Sequence, residues 1–323
     1  MSPRALLICD ASSDHGSGHV MRQITLGASL SRLGAEVVLW CHEIPRGLIS
    51  RAEDFGIEVM HRSWPQESDL LYDFVAPADP KLIVFDGYQF SRRVIKGFGG
   101  ADRVVMVVDD NGDHAGVERD VILNQNLHAG DEMYRGSSSR PELLMGTKWA
   151  LIRPEVAEVA RWKSEIGREG VFISVGGLDS RGLATRLQSA AKSLRDWAVD
   201  CAGGFASGPQ MTPLEMAERM RSSRVGLIAF GTTTWEAMCL GLPVVGLVVA
   251  DNQLKVGKSI EDFGLGQFFD FRSSAEVEPV MEALANLYDD VDSLVKRAEV
   301  GRELVDGDGA NRVALRLMQL AGN

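Results

Sequence analysis

"ALLICDASSDHGSGHVMRQITLGASLSRLGAEVVLWC", residues 5–41, decides how this chain is read. It opens and closes on short runs, "ALLIC" (5–9) and "EVVLWC" (36–41), that are apolar without alternation. A strand apolar at every position is buried on both faces, as in a parallel sheet covered by helices. Between the runs the spacing predicts a helix of about fifteen residues from His19, with Val20, Met21, Ile24, Gly27 and Ala28 on one face. Gly34 follows as its C-cap. The stretch is therefore a strand–helix–strand unit.

The pattern continues in both directions of the argument. "LIVFD" (82–86), "VVMVVDD" (104–110) and "VILN" (121–124) extend the first series. A polar stretch with helical spacing then intervenes, and "VFISV" (171–175), "AVDCA" (198–202), "VGLIAF" (225–230) and "PVVGLVV" (243–249) begin a second. Two successive series predict an α/β protein of two Rossmann-like, doubly wound parallel-sheet domains facing a cleft. The boundaries read as an N-terminal domain over 1–152, a linker over 153–169 and a C-terminal domain over 170–305. A capped helix over 306–323 is placed to pack back on the first domain. At 323 residues the chain exceeds one ordinary core, which agrees with two domains.

Bulk composition removes several classes of function. A net charge of −11 repels a phosphate backbone, so a nucleic-acid partner is not expected. No apolar run is long enough to span a membrane. Cys9, Cys41, Cys201 and Cys239 are scattered without a C-x-x-C pair, which reads as reduced thiols in a cytoplasm. The N-terminal segment is too short in apolar residues for a signal peptide and reads as a first buried strand.

Three turns carry candidate chemistry. Gly16-Ser17-Gly18-His19 follows the first strand. It fits the first two glycines of a dinucleotide fingerprint but has Met21 at the third. Alternatively, His19 caps the helix, or serves as a base. The positive end of the helix dipole disfavours the imidazolium form, and a neutral imidazole is what a general base requires. In the second series Gly231, Thr232, Thr233 and Thr234 open a helix at the end of a strand, where free N–H groups and hydroxyls converge on an anion. Glu236 on that helix can accept hydrogen bonds from a ribose diol. The plainer reading is a threonine-capped helix with a dipole-friendly carboxylate. Asn252 and Gln253 follow the next strand and belong on the same rim. Gly176 and Gly177 in "SVGGLDS" (174–180) permit a close backbone approach. Asp109, Asp110 and His114 in "VVDDNGDH" (107–114) read as a solvated strand end more readily than as a metal site.

"GSGHVMR", "DGYQFS", "VVDD", "NQN", "ALIRPE", "ISVGGLD", "GTTTWEAMCLGLPVV", "NQ" and "DGDGANR" occur in an order that resembles the UDP-sugar hydrolase family of pseudaminic acid biosynthesis. That family acts on a UDP-linked diacetamido-trideoxy hexose. The second half is more distantly similar to GT-B glycosyltransferases that bind UDP-N-acetylglucosamine. The resemblance implies a GT-B fold with the nucleotide on the C-terminal domain, a UDP-sugar substrate, and neither metal nor cofactor. It places the catalytic histidine at His19, nucleotide contacts at Glu236 and Asn252, and a sugar-side tyrosine at Tyr88. Two positions depart from the family pattern. Cys9 stands where an arginine often precedes the strand-end aspartate, and Phe230-Gly231-Thr232 replaces a segment of small residues and paired glycines. Both departures are read as lining the cleft.

The chemistry expected of such a site is water attack at the anomeric carbon with inversion. A diphosphate leaves without a proton donor, because its terminal phosphate has a second pKa of roughly 6. Thr232–Thr234, with Arg22, would meet the growing charge, His19 would deprotonate the water, and Gly18 is expected among the substrate-binding residues. A GT-B transferase would put an acceptor hydroxyl in place of the water. A non-catalytic sugar-nucleotide-binding protein would dispense with the base altogether.

Overall fold

The computed structural model describes residues 2–11, 17–63, 79–98, 102–114, 120–135, 141–162, 167–176, 179, 182–202, 211–273 and 276–322. The chain divides into two compact units: Met1–Leu151 with Asp308–Asn323, and Ile152–Gly307. Helix Pro154–Ala160, in the stretch read from sequence as a linker, thus lies within the second unit.

The first unit is built on seven strands: β1 (Arg4–Cys9), β2 (Glu36–Cys41), β3 (Glu58–His61), β4 (Leu82–Asp86), β5 (Val104–Val108), β6 (Val121–Asn124) and β7 (Glu142–Met145). Their order in the sheet is β3-β2-β1-β4-β5-β6-β7, and each neighbouring pair is parallel. Alternate residues of β1 divide between two cores. Ala5, Leu7 and Cys9 pack beneath helix Gly18–Arg32 and helix Gly309–Ala321. Leu6 and Ile8 pack with Trp40, Phe85 and Phe98 on the other face. A sheet covered on both faces has no use for polar alternation, which is why these runs are continuously apolar.

The helix after β1 spans Gly18–Arg32, and Gly34 beyond it has φ +89°, the left-handed conformation that closes a helix with glycine. Gly27 sits where the helix meets the sheet; a Cβ there would lie 2.8 Å from Ile57 Cδ1. The C-terminal helix Gly309–Ala321 packs on this first helix, and Ser29 Oγ donates to Asn311 Oδ1 at 3.1 Å.

The second unit has five parallel strands, β8 (Val171–Ser174), β9 (Val199–Ala202), β10 (Val225–Ala229), β11 (Val244–Val248) and β12 (Phe268–Asp270), in the order β12-β11-β10-β8-β9. Both sheets are doubly wound, each with a point where the strand order reverses: between β1 and β4 in the first, between β8 and β10 in the second. Crevices beyond the carboxyl ends of strands at such points are where open α/β sheets take ligands.

Of the two departures from the family pattern, Cys9 and Phe230 lie in cores, whereas Gly231 is exposed and Thr232 half-buried. Cys9 is fully buried, its Sγ 3.8 Å from that of Cys41, which is beyond a disulfide bond, and burial pushes its thiol pKa well up. Phe230 is also buried, packed edge-on to Phe268 and over Gly246 and Gly257, whose missing side chains make its room.

Candidate active site

The register of β1 and β4 pairs Cys9 with Asp86, so Asp86 ends its strand at the switch point of the first sheet. His19 begins the helix that follows β1, and its Nδ1 lies 2.7 Å from Asp86 Oδ1. Arg22, one turn further along the helix, reaches the same carboxylate twice, Nε to Oδ2 and Nη2 to Oδ1, each at 2.6 Å. Gln23 Nε2 adds a fourth donor at 2.8 Å. Residues 19, 22 and 23 thus put three side chains of one helix face on a single carboxylate.

Arg22 also bridges to Asp110, just beyond β5, with Nη1 and Nη2 at 3.0 and 2.9 Å. Asp110 receives two further donors: Asn126 Nδ2 at 3.0 Å and the Tyr88 hydroxyl at 3.3 Å. The Tyr88 ring stands edge-on to His19, with centroids 5.0 Å apart. The network therefore draws on the carboxyl ends of β1, β4, β5 and β6.

Burial by itself would raise the Asp86 carboxyl; the Arg22 guanidinium, with His19, overcomes it and holds the group well below the usual carboxylate range. Asp110 follows the same pattern, with Arg22 outweighing desolvation. Arg22, which burial would depress, is instead raised well above its ordinary value by Asp110 and Asp86. Both carboxylates are ionised, and an ionised carboxylate only accepts hydrogen bonds. The two Nη2 hydrogens of Arg22 are taken by Asp86 and Asp110, so the 3.1 Å approach of Nη2 to His19 Nδ1 supplies no proton. In the neutral ring, then, Nδ1 carries the hydrogen and donates to Asp86. Nε2 keeps its lone pair, with no hydrogen-bond partner among the described residues.

Of the residues singled out from sequence, the structure gathers His19, Arg22 and Tyr88 into one cluster. Arg22 is turned onto two carboxylates, which spend the positive charge expected to meet a diphosphate. Gly18 precedes His19 and is exposed, with open space where a Cβ would sit. Gly16 and Gly177 lie outside the described residues. Asp109 accepts from the backbone N–H groups of Asn111, Gly112, Asp113 and His114, which makes it the anchor of that loop. Among the described residues no three His, Cys, Asp or Glu side chains gather as a metal donor set.

In the second unit, helix Thr232–Cys239 begins where β10 ends, at that sheet's switch point. Gly231 N–H donates to Thr234 Oγ1 at 3.1 Å, so buried Thr234 caps the turn, while Thr232 and Thr233 are half-buried. Glu236 is the fifth residue of the helix, not part of its first turn, and is only 1% exposed. Both its carboxylate oxygens accept from Arg153, from Nε and from Nη2. Asn252 and Gln253 follow β11, the neighbour of β10, in the turn Asp251–Gln253, where Gln253 Oε1 accepts from Val249 N–H at 2.8 Å. Gly176, after β8, has φ +89°.

Sequence reasoning missed Asp86, Asp110, Asn126 and Arg153 as members of these networks. Each falls within a motif already quoted, and three of them lie at or just past the end of an apolar run. A polar residue in that position of a doubly wound sheet is the signal that could have found them.

Comparison with solved structures shows the GT-B fold. The calicheamicin glycosyltransferase CalG4 superposes with a TM-score of 0.66 at 16% identity, covering 100% of this chain and 99% of the other. MurG of Acinetobacter baumannii gives a TM-score of 0.67 at 12% identity over 98% and 99% of the two chains. A putative UDP-N-acetylglucosamine 2-epimerase from Listeria monocytogenes gives 0.63 at 13% identity over 97% and 95%. No protein-family model matches the sequence. Among curated proteins, the uncharacterized protein MJ1062 of Methanocaldococcus jannaschii is 21% identical over 277 residues, 77% of this chain. The chain spans 56% of that relative's length. Among the described residues no helix is long and apolar enough to cross a membrane.

Proposed function

We propose that the protein is a UDP-sugar-dependent enzyme that moves a glycosyl group from the nucleotide to an oxygen acceptor, with His19 as general base. The observation that carries this reading is the His19–Asp86 pair at the switch point of the first sheet. It occurs in a fold shared over nearly the whole chain by glycosyltransferases and by a protein described as a UDP-sugar epimerase. Asp86 holds the hydrogen on Nδ1, so Nε2 takes the proton of the attacking hydroxyl, a contribution of roughly 10² to 10⁴ in rate. The diphosphate departs unprotonated. In this reading the N–H groups and hydroxyls at Gly231, Thr232 and Thr233 stabilise its charge, with Thr234 shaping the turn. Glu236, held by Arg153, accepts from the ribose through its remaining lone pairs, and Asn252 and Gln253 serve the same nucleotide.

The neighbours favour a hydroxyl acceptor. A second reading, transfer to water, is favoured by the ordered motifs shared with the UDP-sugar hydrolases of pseudaminic acid biosynthesis. Incubation with a panel of UDP-sugars in isotopically labelled water separates the two. A transferase releases UDP steadily only when an acceptor is supplied. A hydrolase turns over repeatedly without one and puts label into the sugar. Label in the phosphate would mean attack at phosphorus and defeat both, as would a His19→Ala variant with unchanged turnover.

A further inference from the structure

The turn Asp251–Gln253, on which the proposed nucleotide site draws, has no buried side chain of its own. Nothing apolar within it fixes its shape, so that shape depends on polar ties. Gln253 supplies two of them. Its N–H donates to Ala250 O at 3.1 Å, and its Oε1 accepts from Val249 N–H. Both are local. A third reaches across the sheet edge: Arg272 Nη1 donates to Asp251 Oδ1 at 2.7 Å. The same guanidinium is clamped on Asp270, the last residue of β12, with Nη2 to Oδ2 at 2.6 Å and Nε to Oδ1 at 3.0 Å. Asp270 Oδ1 also accepts the Arg272 backbone N–H at 3.0 Å. A planar fork seated on one carboxylate has its remaining nitrogen fixed in direction. Asp270 is anchored in turn. It pairs in register with Val248, the last residue of β11, and Phe271 N–H donates to Val248 O at 2.7 Å. The turn is therefore tied to the sheet through Asp270, Arg272 and Asp251. Two carboxylates against one guanidinium leave this group no surplus positive charge for a phosphate.

We infer that Arg272 is a positioning residue: it holds the turn Asp251–Gln253 in the shape that receives the nucleotide, acting through Asp251 and not on the ligand. The inference rests on the sugar-nucleotide reading for the identity of that ligand. It makes binding depend on the geometry of the side chain and not on its charge alone. A lysine at this position keeps the positive charge. Its single ammonium cannot grip Asp270 with two nitrogens and present a third to Asp251.

Two measurements on the full-length chain test this, with Arg272→Lys and Arg272→Ala beside the parent. The Arg272 side chain is 35% exposed, so neither variant opens a core. The first measurement is amide hydrogen exchange without ligand. The Gln253 N–H should exchange about fivefold faster in both variants, the upper range for a lost surface ion pair. The Gly246 N–H, which donates to Gln267 O inside the sheet at 2.9 Å, should not change. An unchanged rate at Gln253, or an equal rise at both positions, overturns the inference. The second is calorimetry with UDP, which both variants should bind about three- to fivefold more weakly. An Arg272→Lys protein that binds UDP as the parent does shows that charge suffices and overturns the inference, as does unchanged affinity in both variants. If the parent itself does not bind UDP, the sugar-nucleotide reading falls by itself, and exchange at Gln253 alone decides whether Arg272 holds the turn.

Discussion

Asp86→Asn is the sharpest single perturbation of the proposed chemistry. The carboxylate is fully buried and accepts from His19 Nδ1, Arg22 Nε, Arg22 Nη2 and Gln23 Nε2, at 2.6 to 2.8 Å. An asparagine of nearly the same shape keeps one acceptor oxygen and sets an NH₂ group against donors that have nowhere else to turn. Arg22 then keeps only Asp110. Removing one partner of a buried ion pair costs about 3 to 5 kcal/mol, because the remaining charge is left uncompensated. The ring of His19 also loses its reason to hold hydrogen on Nδ1. In a serine protease the corresponding replacement leaves the geometry intact and lowers turnover by about 10⁴ through the wrong tautomer. Here a fall in kcat of about 10² to 10⁴ is expected, with the dissociation constant for UDP little changed. Urea unfolding gives the stability change, steady-state UDP release gives kcat, and calorimetry with UDP reads the proposed nucleotide site separately. A folded Asp86→Asn protein whose kcat lies within about threefold of the parent would refute the base assignment.

Three further outcomes follow from the same physics. Asp86 and Asp110 titrate below their unfolded value of about 3.9, so near that pH the unfolded chain binds more protons than the folded one and stability rises with pH. Their contribution is complete above about pH 4 and is lost as the pH falls toward the folded-state values; urea midpoints measured from neutral to acid should show this loss, and it should be smaller in Asp110→Asn. Arg153→Met leaves the Glu236 carboxylate buried without its guanidinium, at a cost of about 3 to 5 kcal/mol, and should weaken UDP binding as well; an unchanged unfolding midpoint and unchanged affinity would remove Arg153 from the site. Gly246→Ala builds a methyl group into the ring of Phe230, an overpacking that should destabilise by about 1 to 3 kcal/mol, visible as a lowered melting temperature.

How much of this was legible in the sequence depends on the range of the interaction. The central strands were visible as runs because both their faces are buried, and β2, β4 and β6 fall on the residues expected. The strands β3, β7 and β12 escaped notice. Each is at a sheet edge, each is three or four residues long, and each is only partly buried, so none carries a continuous apolar signature. The helix after β1 and its histidine were legible too, because glycines, helix start and apolar spacing are local.

The carboxylate partners were illegible for the opposite reason. Asp86 is 67 residues from His19, and Glu236 is 83 from Arg153. Only the strand order, which returns β4 to the side of β1, makes the first pair neighbours. A charged residue in the middle of a quoted motif reads as surface until the topology buries it. This is why Arg22 reads from sequence as a cation for phosphate and in the folded chain as the tie between two carboxylates. A donor held by Asp86 or Asp110 is already engaged within the fold, through contacts that no local pattern encodes.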